Sequence, residues 1–267
     1  MKIKKLIKKR VQSLIVNSLR DFVTDKQEEM LRGISRLQSI AYLHQQTFAK
    51  YKGIYQGKDV VLIGGGPSVK NFIPIDNCIY VGLNRACLLK NISFDYLFTI
   101  DKIGTDKIYS EFGNYNCVKF VGDQNLGPSF QIPESQIIQM TNVYRYKTDA
   151  GLYRESHFTV DIATEPLGNF NTVSLQAMQF ILYTNPRRVY LVGIDCSSAG
   201  HFDEKQGNTV EHYGRMQQRG ENIELMVKDY LRYWYQFKDF LNQYYPETEI
   251  VSVNPVGLRG LFTDLDQ

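Results

Sequence analysis

The stretch that most restricts how this chain can fold is Asp59-Val60-Val61-Leu62-Ile63, which runs directly into Gly64-Gly65-Gly66-Pro67-Ser68. A short run that is apolar at successive positions, rather than at every second one, belongs to a strand covered on both faces. Such strands occur in parallel sheets sandwiched between helices, and a glycine turn after the first of them opens the crossover to the next. The same grammar recurs downstream. Residues 78–82, 94–100 and 117–121 read as further strands, with 136–140 as a fifth, and Arg188–Val192 and Glu249–Val253 follow later. Helical spacing of apolar residues is present over 172–183 and 221–244, and residues 84–90 read as a shorter helix. Residues 141–170 show little periodicity and read as a long connection. The expected fold is α/β, a Rossmann-like and mostly parallel sheet with helices on both faces, spanning residues 51–267 with a lid region at about 197–221. The sequence contains no internal repeat.

Residues 1–50 obey a different rule. Ile3, Leu6, Ile7, Val11, Leu14, Ile15, Leu19, Phe22 and Val23 fall at helical spacing, and six of the first ten residues are lysine or arginine. This is a basic amphipathic helical arm. An anionic membrane surface is one occupant that suits it, which would hold the protein peripherally at the inner face of the membrane. Its own domain or a second subunit, giving a homo-oligomer, is the other. The net charge of +3 over 267 residues excludes nucleic-acid binding by bulk charge. No apolar run is long enough to span a bilayer, and the basic start lacks the apolar core and cleavage site of a secretion signal. The four cysteines, Cys78, Cys87, Cys117 and Cys196, lack metal-finger spacing and read as free buried thiols. Together these point to the cytoplasm. The 18 tyrosines and 15 phenylalanines fit a core and rim rich in aromatic residues, or a site for a sugar or base.

The chemistry expected of such a chain lies at the carboxyl ends of its strands. Gly64, Gly65 and Gly66 let a backbone approach a ligand closely, and Ser68 after Pro67 is placed to cap the next helix and leave its N–H groups for an anion. The turn lacks the Gly-Lys-Ser/Thr of a Walker loop and does not complete Gly-x-Gly-x-x-Gly. Asn84, Asp101 and Asp195 stand at the ends of three other strands. Ser197, Ser198, His201, Asp203, His212 and Tyr213 share the polar loop, in which a histidine is a natural general base and His201 with Asp203 a weak metal pair.

These residues resemble a known family. Gly64-Gly65-Gly66-Pro67-Ser68-Val69-Lys70 is similar to the glycine turn of the bacterial CMP-sialic-acid-dependent sialyltransferases. Leu83-Asn84-Arg85, Thr172-Val173-Ser174, Tyr190-Leu191-Val192-Gly193-Ile194-Asp195 and Asn254-Pro255 resemble their further elements in the same order. The turn, with Phe94-Asp95-Tyr96 to Asp101 and Val173-Ser174 to Ala177, also resembles a related branch of motility accessory factors and a pterin pyrophosphokinase.

The first resemblance implies a GT-A-variant-like fold and an inverting, metal-independent glycosyltransferase with no cofactor beyond its nucleotide-sugar co-substrate, a CMP-linked acidic sugar. The acceptor would be a hydroxyl of a bacterial surface glycan or lipid-linked glycan, a step of polysaccharide biosynthesis. It implies that Gly64 to Ser68 and Asn84 hold the nucleotide and that Thr172 and Ser174 lie near the donor. His212 would be the base with Tyr213 as phosphate partner, and His201 is the competing base. Arg215 and Arg219 are candidate contacts for a phosphate or sugar carboxylate. The second resemblance implies an ATP enzyme with Mg²⁺ on Asp101 and Asp195. A non-catalytic glycan-assembly protein is the third reading.

Overall fold

The computed structural model describes residues 2–100, 109–123, 134–150, 152, 155–203, 220 and 222–267; side chains before Ile15 are not among them. Eight described strands form one parallel sheet: β1 (Asp59–Ile63), β2 (Cys78–Leu83), β3 (Tyr96–Thr99), β4 (Val118–Asp123), β5 (Val143–Lys147), β6 (Arg188–Val192), β7 (Glu249–Val253) and β8 (Thr263–Leu265). Their order is β5-β4-β3-β2-β1-β6-β7-β8, so the winding direction reverses between β1 and β6. The helices are α1 (Lys2–Phe48), α2 (Tyr109–Asn114), α3 (Glu134–Ile137), α4 (Val173–Tyr183) and α5 (Ile223–Tyr244). This is the Rossmann-like α/β architecture that the strand runs imply.

Alternation within the strands feeds two cores. Val60 and Leu62 face α4, α5 and the end of α1, while Val61 and Ile63 face Val69, Phe72, Ala86 and Phe112. The first core is rich in aromatic rings. Phe98 and Phe120 lie 4.6 Å apart between ring centres, and Phe180 lies 4.9 Å from Phe120. Tyr51, Tyr96 and Tyr146 are buried with them, so many of the abundant aromatic side chains serve packing. All four cysteines are free, but only Cys87 and Cys117 are buried as expected, with Cys78 and Cys196 partly exposed.

Several elements differ from expectation. Residues 136–140 do not form a strand; the short α3 and a turn occupy that stretch. The fifth strand lies further on, at Val143–Lys147, inside the presumed connection. Its Tyr-Arg-Tyr-Lys sequence hides it, because an edge strand buries few side chains and this one is covered by α1 instead of by a second layer of apolar residues. Residues 84–90 form only a 3₁₀ turn, Asn84–Leu88. β8 is three exposed residues long and carries no apolar signal.

The arm joins the domain through its C-terminal turns. Phe48 and Tyr51 enter the aromatic core, and Thr47 donates to the Arg145 carbonyl at 2.9 Å. His44 is fully buried. Its Nε2 accepts the Lys147 N–H at 2.8 Å, and its Nδ1–H donates to the carbonyls of Ile162 and Glu165 at 2.9 and 2.8 Å. Every bond uses the neutral ring. Burial drives its pKa down from 6.5 to about 4, against the raising effect of the two carbonyls. The unfolded chain takes up a proton near pH 6.5 and the folded chain only near pH 4. Stability is therefore intact above pH 6.5 and declines as pH falls towards 4, by up to about 3 kcal/mol. Urea midpoints at pH 7 and pH 5 should show this slope, and His44→Gln should flatten it.

Among the described residues, no helix is long and apolar enough to cross a membrane.

Candidate active site

The strand order reverses between β1 and β6, and in an open parallel sheet that divergence leaves a crevice at the carboxyl ends. Gly64 leaves β1 and Gly193 leaves β6 side by side. The Gly64 N–H donates to Val192 O and the Gly66 N–H to Gly193 O, both at 2.8 Å. Asp195 then reaches across: one carboxylate oxygen accepts the Ser68 N–H at 3.0 Å and the other the Ser68 hydroxyl. These two close approaches explain two glycines. A Cβ on Gly66 would lie 2.4 Å from the Asp195 carboxyl carbon, and one on Gly64 would lie 2.5 Å from the Gly193 carbonyl oxygen.

The turn thus differs from the expected anion cradle. Its N–H groups at Gly64, Gly66 and Ser68 are all used within the protein, and Ser68 is tied to Asp195 instead of capping a helix. Gly66 leads into a five-residue 3₁₀ segment, Pro67–Asn71. The Gly65 N–H alone in this turn has no acceptor among the described residues.

The start of α4 is the helix N-terminus that faces the cleft. Phe170 and Asn171 have φ of 46° and 51°, which reverses the chain and sets Thr172 as N-cap, its hydroxyl accepting the Ser174 N–H at 3.4 Å. Thr172, Val173 and Ser174 line the cleft, so the positive end of an eleven-residue helix opens on it. The approach to this helix is held by Asp149, whose side chain is 1% exposed. Asp149 accepts the Ser156 hydroxyl at 2.9 Å, the His157 N–H at 3.1 Å and the Asn169 N–H at 2.8 Å. Gln176 and Gln179 of α4 bind the same connection at Asn169 and Gly168.

The cleft holds about 240 Å³, just below the roughly 300–1,000 Å³ of typical small-molecule sites. Gly64, Gly65, Gly66, Asn84, Thr172, Ser174, Gly193, Asp195 and His201 are all in its lining. Residues spread over more than a hundred positions of sequence therefore meet at one place. Asn84 has a φ of 45°, and its side-chain oxygen is buried with no donor among the described residues. A ligand N–H or O–H would satisfy it. Pro67 and Ser68 lie outside the lining. Asp101, His212, Tyr213, Arg215 and Arg219 lie outside the described residues.

Sequence reasoning missed part of the lining. Arg85 contributes to one wall and pairs with Asp203. Asp203 is therefore engaged by a guanidinium instead of sharing a metal with His201. With the Phe202 N–H bonded to Gly65 O at 2.9 Å, this pair pins the first residues of the expected lid over the turn. Met226, Tyr230 and Trp234 form another wall, and their spacing of four along α5 was the available signal. Cys196 also lines the cleft, but burial pushes its thiol up to about 12, which leaves it protonated and unsuited to nucleophilic attack at neutral pH. Among the described residues, no group of three or more His, Cys, Asp or Glu is placed to hold a metal ion.

Fold and site together define a doubly wound parallel α/β domain with its ligand cleft at the topological switch point. No protein-family model matches the sequence. No curated protein matches it either. Among solved structures, the chain is similar to the sialyltransferase CstII from Campylobacter jejuni in complex with the substrate analogue CMP-3FNeuAc, with a TM-score of 0.41 and 12% identity over 78% of this chain and 86% of the other. It is likewise similar to the same sialyltransferase in complex with a trisaccharide acceptor and CMP, with a TM-score of 0.42, 12% identity and the same coverage.

Proposed function

We propose that this protein is an inverting glycosyltransferase that uses a nucleotide-activated donor, a CMP-linked acidic sugar, and a hydroxyl of a bacterial surface glycan as acceptor. The observation that carries this reading is the convergence of Gly64–Gly66, Asn84, Thr172–Ser174 and Gly193–Asp195 on one cleft. These are the segments whose sequences resemble the sialyltransferase motifs. The chemistry of the lining supports it further. The start of α4 and the Gly65 N–H are suited to the donor's anionic groups. The Asn84 oxygen suits an amino or hydroxyl group, and Tyr230 in the lining supplies aromatic surface for a base or sugar.

In the reaction, the acceptor oxygen attacks the anomeric carbon as a histidine takes its proton. The bond from that carbon to the phosphate oxygen breaks, and CMP leaves with the electron pair. His212 is assigned as the base, with Tyr213 on the departing phosphate. His201, in the cleft lining, helps to shape the donor site. No metal takes part. The diphosphokinase alternative would place Mg²⁺ on Asp101 and Asp195, whereas the Asp195 carboxylate serves to hold Ser68 and the glycine turn.

Incubation with a panel of CMP and UDP sugars tests the proposal. Hydrolysis or transfer from a CMP sugar, undiminished by EDTA, is the expected result. A response to ATP alone, abolished by EDTA, would overturn it. His212→Ala should lower kcat by about a hundredfold or more and leave CMP affinity unchanged. Full turnover by that variant would remove His212 as the base.

A further inference from the structure

We propose that the projecting part of α1 docks this protein onto an anionic lipid bilayer. Among the described residues, the helix contacts its own domain from about Arg36 onward, through side chains such as Arg36, Ile40, His44 and Phe48. Every described residue from Ile15 to Arg32 is exposed. Ile15, Val16, Leu19, Phe22 and Val23 fall within an arc of about 120° at 100° per residue. Leu19 and Phe22 are 59% and 60% exposed. A contiguous exposed apolar stripe of this kind marks a surface that takes a partner.

Charge identifies the partner. The first twenty residues contain seven lysines and arginines (Lys2, Lys4, Lys5, Lys8, Lys9, Arg10 and Arg20) and no acid. From Asp21 to Arg36 there are four acids and three bases. A second copy in parallel would set the two cationic segments side by side. In antiparallel array each would lie against a nearly neutral one. An anionic surface attracts this cationic segment, and the stripe supplies the second of the two signals that stable peripheral attachment needs.

The test is co-sedimentation of the full chain with vesicles of phosphatidylcholine containing phosphatidylglycerol, and with vesicles of phosphatidylcholine alone. Sedimentation equilibrium without lipid runs in parallel. Binding to the anionic vesicles should be at least about tenfold tighter and should weaken with salt. The double variant Leu19→Glu/Phe22→Glu changes only exposed side chains, so its melting curve should be unaltered while vesicle affinity falls about tenfold or more. Equal binding to both vesicle types, full binding by the double variant, or a dimer that the variant dissociates while the parent ignores lipid would each overturn the proposal. None of these readouts depends on the activity assigned to the cleft.

Discussion

Replacement of Asp195 by alanine is expected to cost about 2–4 kcal/mol of folding stability and to abolish ligand binding in the cleft. The carboxylate is buried and holds both the N–H and the hydroxyl of Ser68. Alanine leaves those two donors without an acceptor beside a turn whose shape depends on them. The same residue explains why position 66 is glycine, since a methyl group there would collide with the Asp195 carboxyl. Gly66→Ala should therefore reproduce much of the loss from the other side of the contact. Asp195→Asn keeps one carbonyl acceptor and should fall between alanine and the parent. Urea denaturation gives the stability, and a CMP thermal shift gives the binding. An Asp195→Ala protein as stable as the parent would show that the turn is held by other means.

The second large effect is expected at Asp149, which lies outside the cleft. Asp149→Ala removes the acceptor of the Ser156 hydroxyl and of the His157 and Asn169 N–H groups, in a position 1% exposed. Hydrogen bonds to a buried charged group contribute about 1.5–3 kcal/mol each and do not add in full, so a loss of about 3–5 kcal/mol is expected. The damage should reach the cleft, because the Asn169–Thr172 segment sets the start of α4. Hydrogen exchange should then show faster opening over residues 155–172, with β1 and β6 changed only through the global loss. Exchange unchanged in that segment would contradict the role given to Asp149.

Both effects bear on how much of this protein the sequence discloses. The buried strands were legible because apolar, β-branched runs have few other uses: β1, β6 and β7 have the bounds that their sequences imply. β5 and β8 were not, since edge strands owe their place to neighbours instead of to their own side chains. Within the cleft, the motif residues stood out by type and position at strand ends, yet their jobs did not. The glycines and Asp195 look in sequence like ligand-binding groups, and the structure shows them holding one another. That division depends on distances between chain segments about 130 residues apart, which no local pattern records. The Asp149 hub was invisible for the same reason, as was the pairing of Arg85 with Asp203.

Under the proposed function, the cleft between β1 and β6 receives a cytidine nucleotide. The chain has a single tryptophan, Trp234, which lies in the cleft wall and is 1% exposed. Its fluorescence should therefore respond to a ligand bound in that cleft. Titration with CMP in the presence of EDTA should give a saturable change, absent with ATP and lost in Asp195→Ala. No change with CMP or any CMP sugar, together with a saturable response to ATP and Mg²⁺, would contradict the account.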